Sequence, residues 1–185
     1  NAAKGMLGLM ADEFRRGTLA DTMKFTMERK KPTFPHDLSH AELLEERAQR
    51  KPQRPFLRYH GKIFTYRQMN DNANRMANFL LEMDAGPGQA LAVFMNNSPR
   101  WLDAFMGAQR IGMCAVPVNT ALRGDQLSYI FNHSEAAFVC IDYDLLQFYM
   151  NIKDQLDRPP QVIVNTEGNT GGFELPEGMV DMDKA

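Results

Sequence analysis

Apolar positions recur at helical spacing near the start of the chain and later collect into short continuous runs. At residues 39–48, Ser39 stands at an N-cap with Glu42 three positions on, a capping box ahead of the apolar Leu43, Leu44 and Ala48. Pro52 and Pro55 close that helix. Residues 56–59 and 63–65 alternate polar and apolar around His60-Gly61-Lys62, the pattern of a β-hairpin. Thr65 then caps a second helix, with Gln68 at the box position. Tyr66, Met69, Ala73, Met76, Ala77, Leu80 and Leu81 share one face of it, and Asn70, Asn72, Asn74 and Asn78 fall off that face. Gly86-Pro87-Gly88 ends it.

From residue 90 the pattern becomes β-α repeated. Residues 90–95 are a continuous apolar run, as in a strand covered on both faces. Ser98-Pro99 opens a helix in the favoured order, cap then proline, with Trp101, Leu102, Phe105 and Met106 at helical spacing. Residues 114–118 form the next strand, its pairing limited by Pro117. Leu127, Ile130 and Phe131 mark a helix and 137–141 a buried strand. Leu145, Leu146, Phe148, Tyr149 and Ile152 mark another helix, and 162–164 the last strand. Strands alternating with helices imply an α/β fold: a mostly parallel, doubly wound sheet with flanking helices, plus the small hairpin.

Composition narrows the function classes. The net charge of −2 gives no electrostatic case for nucleic acid. Two cysteines exclude a disulfide scaffold and fit a reducing compartment. No apolar run approaches the roughly 18 residues that span a bilayer. Basic residues outnumber acidic ones in 1–32, which also carries Met6, Leu7, Leu9, Met10 and Phe14. That segment reads as helix packed on the rest, with contact to a membrane surface as the competing reading. The tail, 166–185, is rich in Gly and acidic residues and reads as loop leading to a missing remainder. The expected organisation is therefore a helical, basic segment at 1–35, an α/β subdomain at 36–165 and the tail. Asn1-Ala2 is expected to be a cloning remnant, and the chain to stop partway through a larger protein.

Ligands of doubly wound sheets bind at the carboxyl ends of strands. This nominates Asn96-Asn97-Ser98, Asn119-Thr120 and Asp142, which are equally the residues that cap helices after strands. No G-x-x-x-x-G-K-[ST] is present, no G-x-G-x-x-G follows a strand, and Asn169-Thr170-Gly171-Gly172 reads as loop. His36 and His40 stand four apart, but Pro35 and the Ser39 cap argue against a shared metal. Cys114 and Cys140 lie in apolar runs and read as small core residues.

Residues 56–142 carry a longer series. Phe64-Thr65-Tyr66-Arg67, then Asn74-Arg75 and Ala77, then Gly86-Pro87-Gly88 lead into Ala90-Leu91-Ala92-Val93. Asn97-Ser98-Pro99, Trp101, Phe105, Gly107, Gly112 and the string Val116 to Leu127 (Val-Pro-Val-Asn-Thr-Ala-Leu-Arg-Gly-Asp-Gln-Leu) follow in order. The series resembles the N-terminal part of the AMP-forming acyl-CoA synthetases, and Asn-Thr-x-Leu-Arg-Gly is most similar to the long- and very-long-chain fatty-acid-CoA ligase and fatty-acid transport protein branch. Gly88-Gln89 stands where the family has Gly-Asp.

The resemblance implies a ligase that joins a fatty acid to coenzyme A with ATP and Mg²⁺, through an acyl-adenylate. The family's Ser/Thr/Gly-rich phosphate loop ending in Pro-Lys, its later adenylate motifs and its catalytic lysine are absent from these 185 residues. No catalytic, cofactor-binding or metal residue is therefore assigned, and this chain alone is expected to be inactive and to hold no cofactor. Asn119, Thr120 and Arg123 are expected beside the substrate cleft. The reading admits a homodimer and a cytoplasmic protein peripheral to the membrane; the alternative is a stand-alone, non-catalytic α/β module binding a nucleotide or acyl ligand.

Overall fold

Two local signals start the described part of the chain. In the computed structural model, which describes residues 38–168 and 175–184, Ser39 caps α1 (His40–Arg50): its Oγ accepts from Glu42 N–H at 3.2 Å. Its own N–H donates to the Glu42 carboxylate at 2.6 Å, which completes the capping box. The Ser39 backbone N–H first, and the Ser39 side chain second, hold the exposed Glu42 carboxyl below its ordinary pKa. The same device starts α2 (Tyr66–Glu82), through Thr65 and Gln68. Between them lies the hairpin of β1 (Pro55–Tyr59) and β2 (Lys62–Thr65), antiparallel, with Tyr59 opposite Lys62. His60 and Gly61 both have positive φ, 46° and 77°, the two-residue turn whose twist matches the strands. The segment 1–35, with its expected helices and membrane contact, lies outside the described residues, as do His36 and the 169–172 loop.

The sheet follows the expected pattern. Its strands are β3 (Ala90–Phe94), β4 (Cys114–Pro117), β5 (Phe138–Asp142), β6 (Gln161–Asn165) and β7 (Val180–Asp181), all parallel, in the order β4-β3-β5-β6-β7. Alternation along each central strand divides the core in two. Ala92, Phe94, Val139, Ile141, Val162 and Val164 face α4 (Gly124–Ser134) and α5 (Leu146–Met150). Leu91, Val93, Cys140 and Ile163 face α2 and α3 (Pro99–Arg110). Both faces are covered, which is why these runs read as continuously apolar.

A third cluster joins α1 to that second layer: Leu44 meets Met69, Ala73 and Met106, flanked by Phe56 and Phe64 of the hairpin. Arg110 ties the same elements together. It donates to the Ala41 carbonyl at 3.2 Å, Asn70 Oδ1 at 2.9 Å and Glu45 Oε2 at 3.1 Å. The α2–α3 approach is close because position 107 is glycine. A Cβ there would lie 2.7 Å from Met76 Cγ.

Three expectations change. Cys114 is exposed, not core, because β4 is the edge strand and only β3 covers one side of it. The single helix expected through Leu145 to Ile152 is instead a 3-10 turn (Tyr143–Leu145), the five-residue α5 and a second 3-10 turn (Lys153–Gln155). No side chain caps the start of any of the three pieces, so nothing local extends one into a longer helix. The tail read as loop contributes β7, parallel to β6, and fully buries Met182.

Candidate carboxyl-edge site

The strand order 4-3-5-6-7 has a switch point. After β3 the chain adds β4 on one side, then crosses to place β5 on the other. In open α/β sheets the crevice at such a point, outside the strands' carboxyl ends, is where ligands bind. Here that crevice lies between β3 and β5 and is bridged by side chains. Asp142, the last residue of β5 and only 8% exposed, accepts from Asn96 N–H at 2.7 Å and Asn96 Nδ2 at 3.1 Å. Its other oxygen accepts from Asn165 Nδ2 at 2.8 Å, at the end of β6. One carboxylate thus fastens three strand ends with neutral donors, which satisfies a buried acceptor that would otherwise be costly.

Next to it, the Thr166 hydroxyl lies 2.9 Å from Asp181 Oδ1 and 3.3 Å from Asp183 Oδ2, joining β6 to the end of β7. Arg100, in the first turn of α3, reaches both Asp183 and Glu167, the latter at 3.6 Å. Polar contacts therefore run along the edge of the sheet from Asn96 to Asp183, with Asp142, Asn165 and Thr166 buried among them.

The nominated residues divide between two places on this edge. Asn96 and Asp142 meet at the switch point. Ser98 does what the capping reading expects and accepts from Trp101 N–H at 3.1 Å. Asn119 and Thr120 follow the edge strand β4 and cap no helix. Asn119 Oδ1 instead accepts from Ala121 N–H at 2.9 Å, closing an Asx turn. Arg123 folds back on that turn, donating to the Thr120 and Leu122 carbonyls at 2.6 Å each, and its guanidinium lies 3.5 Å above the Phe148 ring. A shallow open hollow of about 400 Å³ begins at the adjacent Leu122 and runs along Asp125, Gln126, Tyr129 and Ile130.

Sequence reasoning missed Asn165 and Thr166. The rule that nominated Asn96 and Asp142, polar residues just past an apolar strand, applies equally after Val162-Ile163-Val164.

Chemically the edge offers hydrogen-bond donors and acceptors and no activated nucleophile. Burial first, and the neighbouring Asp142 charge second, push the Cys140 thiol far above its usual pKa, so it stays protonated. Among the described residues no group of three or more His, Cys, Asp or Glu is arranged to hold a metal ion. No helix among the described residues is long and apolar enough to cross a membrane.

Comparison with known proteins accounts for this scaffold. The chain is 34% identical over 103 residues to a 3-hydroxybenzoate--CoA/4-hydroxybenzoate--CoA ligase of Thauera aromatica, covering 56% of this chain and 20% of the ligase. It is 25% identical over 134 residues to bacitracin synthase 3 of Bacillus licheniformis, covering 72% of this chain and 2% of the synthase. A solved structure of a Mycobacterium tuberculosis fatty acyl CoA synthetase superposes with a TM-score of 0.63 at 27% identity, covering 77% of this chain and 26% of that one. The chain thus spans at most about a quarter of these three proteins. The profile of AMP-binding enzymes matches residues 44–178, which include the hairpin, strands β3 to β6 and the polar residues at their carboxyl ends. This chain belongs to the AMP-binding enzyme family.

Proposed function

We propose that this chain is the N-terminal part of an adenylate-forming acyl-CoA ligase and supplies one flank of its substrate cleft. The family match across residues 44–178 carries the reading. In the proposed reaction a carboxylate oxygen attacks the α-phosphorus of ATP, releasing pyrophosphate and leaving an acyl-adenylate. The thiol of coenzyme A then attacks the acyl carbon and releases AMP. Charge grows on phosphoryl oxygens in the first step and needs preorganised donors around it. Among the described residues no glycine-rich loop offers that cradle, so the work of these residues is positional. The Asn96–Asp142–Asn165 hydrogen bonds fix the strand ends, and the turn locked by Asn119 and Arg123 shapes the neighbouring wall.

Within this reading the substrate is a long-chain fatty acid, a choice supported by the Asn119-Thr120-Ala121-Leu122-Arg123-Gly124 string and by similarity to the fatty acyl CoA synthetase. The test is thioester formation by the protein of the full reading frame, with matched fatty and hydroxybenzoic acids. Higher kcat/KM for long-chain fatty acids is expected, and a preference for the aromatic acids would replace this substrate class. In the same protein Arg123→Ala is expected to raise KM for the carboxylate about tenfold with kcat unchanged, equivalent to roughly 1.4 kcal/mol of binding. An unchanged KM would remove Arg123 from the cleft.

A further inference from the structure

Where α2 and α3 meet the segment after β7, a cavity of about 10 Å³ is lined by Asn72, Arg75, Met76, Arg100, Asp103 and Met182. That is room for about one water. Asp103 is 3% exposed. Its Oδ2 accepts from Asn72 Nδ2 at 3.3 Å, and its Oδ1 has no partner. An acceptor buried without a partner is costly, and more so once charged. Two cations line the same cavity, and both are engaged elsewhere. Arg75 Nη2 donates to Asn72 Oδ1 at 2.6 Å, while Arg100 is shared by Asp183 and Glu167. Met182, which lines the cavity, belongs to the segment that Arg100 holds, and that segment joins the sheet through two strand residues and the Thr166 hydroxyl.

We propose that the proton on Asp103 controls how firmly the 180–183 segment is seated, with Arg100 as the shared element. When Asp103 is neutral, Arg100 remains on Asp183 and Glu167, and Met182 closes the cavity. When Asp103 ionises, its bare Oδ1 draws Arg100 inward along α3, the hold on Asp183 weakens, and water reaches the cavity as Met182 lifts. The charged groups facing Asp103 are Arg75 from α2, Arg100 from its own helix, Glu167 from the loop after β6, and Asp183 from beyond β7, which Arg100 brings to the site. Burial raises the Asp103 pKa to about 6, the two arginines and the Asn72 bond oppose that rise, and Glu167 adds to it, so the change falls near neutrality. The proposal concerns seating of the tail and stands apart from the ligase reading.

The test is amide hydrogen exchange at residues 180–183 in the 185-residue chain, corrected for intrinsic rates, at about pH 5 and about pH 7.5. Wild type is expected to lose about tenfold protection at the higher pH, one pKa unit of linkage. Asp103→Asn is expected to stay protected at both. Arg100→Gln is expected to be unprotected at both, because the hold on Asp183 is gone. Equal protection at the two pH values in wild type, or an unchanged pH dependence in either variant, overturns the proposal. Should Asp103→Asn not fold, the contrast between wild type and Arg100→Gln decides alone.

Discussion

Gly107→Val is expected to destabilise the chain by about 3 kcal/mol, measured as a lower urea midpoint with an unchanged m-value. A side chain at 107 would meet Met76 Cγ at 2.7 Å, Met76 Cβ at 2.8 Å and the Ala77 backbone nitrogen at 3.2 Å. Met76 is itself fully buried, and its neighbour along the helix is backbone, so α2 must move away from α3 as a body. That motion would also disturb Met69, Ala73 and Met106, which share the third core cluster. Gly107→Ala separates the two opposing effects. It gains about 1 kcal/mol of helix propensity, against overpacking that costs about 1–3 kcal/mol. A small net loss is expected for alanine and a large one for valine. A neutral Gly107→Val would mean that the helices do not approach as closely as described.

Asp103→Asn is expected to act in the other direction, stabilising the chain by about 2–3 kcal/mol at pH 7. Desolvation raises the carboxyl from 3.8 to about 6, so the folded state holds its proton more tightly than the unfolded chain. Between those two values the folded state binds more protons, and stability falls as pH rises. The contribution is complete below the unfolded value and gone above about 6. Stability curves of wild type and Asp103→Asn should therefore converge near pH 4 and separate towards pH 7. The asparagine keeps the contact with Asn72 and leaves one polar atom in the cavity, which trims the gain. Parallel curves across that range would show that Asp103 is not desolvated in solution.

Much of this architecture was legible because its signals are local. Ser39 with Glu42, Thr65 with Gln68, and Ser98 with Pro99 set helix starts by hydrogen bonds within three residues. The apolar runs of β3, β5 and β6 reflect cover on both faces. What escaped depends on position in the sheet. Cys114-Ala115-Val116 resembles a central strand in composition, but only strand order makes it an edge. β7 is two residues long, and its partner is Ile163-Val164, some 17 positions earlier in the chain. Asp103 stands between Leu102 and Ala104 on the buried side of α3, and the cavity it lines depends on Asn72 of α2 and on Met182 from the far end of the chain. At the carboxyl edge the residue types were readable in advance. That Asp142 joins three strands, whereas Asn119 and Arg123 lock a separate turn, depended on which strands became neighbours.

The central claim is that this chain is the positional flank of an adenylate-forming ligase whose phosphate-binding chemistry lies elsewhere in the protein. Carboxylate-dependent exchange of labelled pyrophosphate into ATP tests it most directly, because exchange reports adenylate formation without requiring coenzyme A. Exchange is expected from the protein of the full reading frame with long-chain fatty acids and none from the 185-residue chain with any acid. Exchange by the 185-residue chain, or its absence from the longer protein with every acid tried, would contradict it.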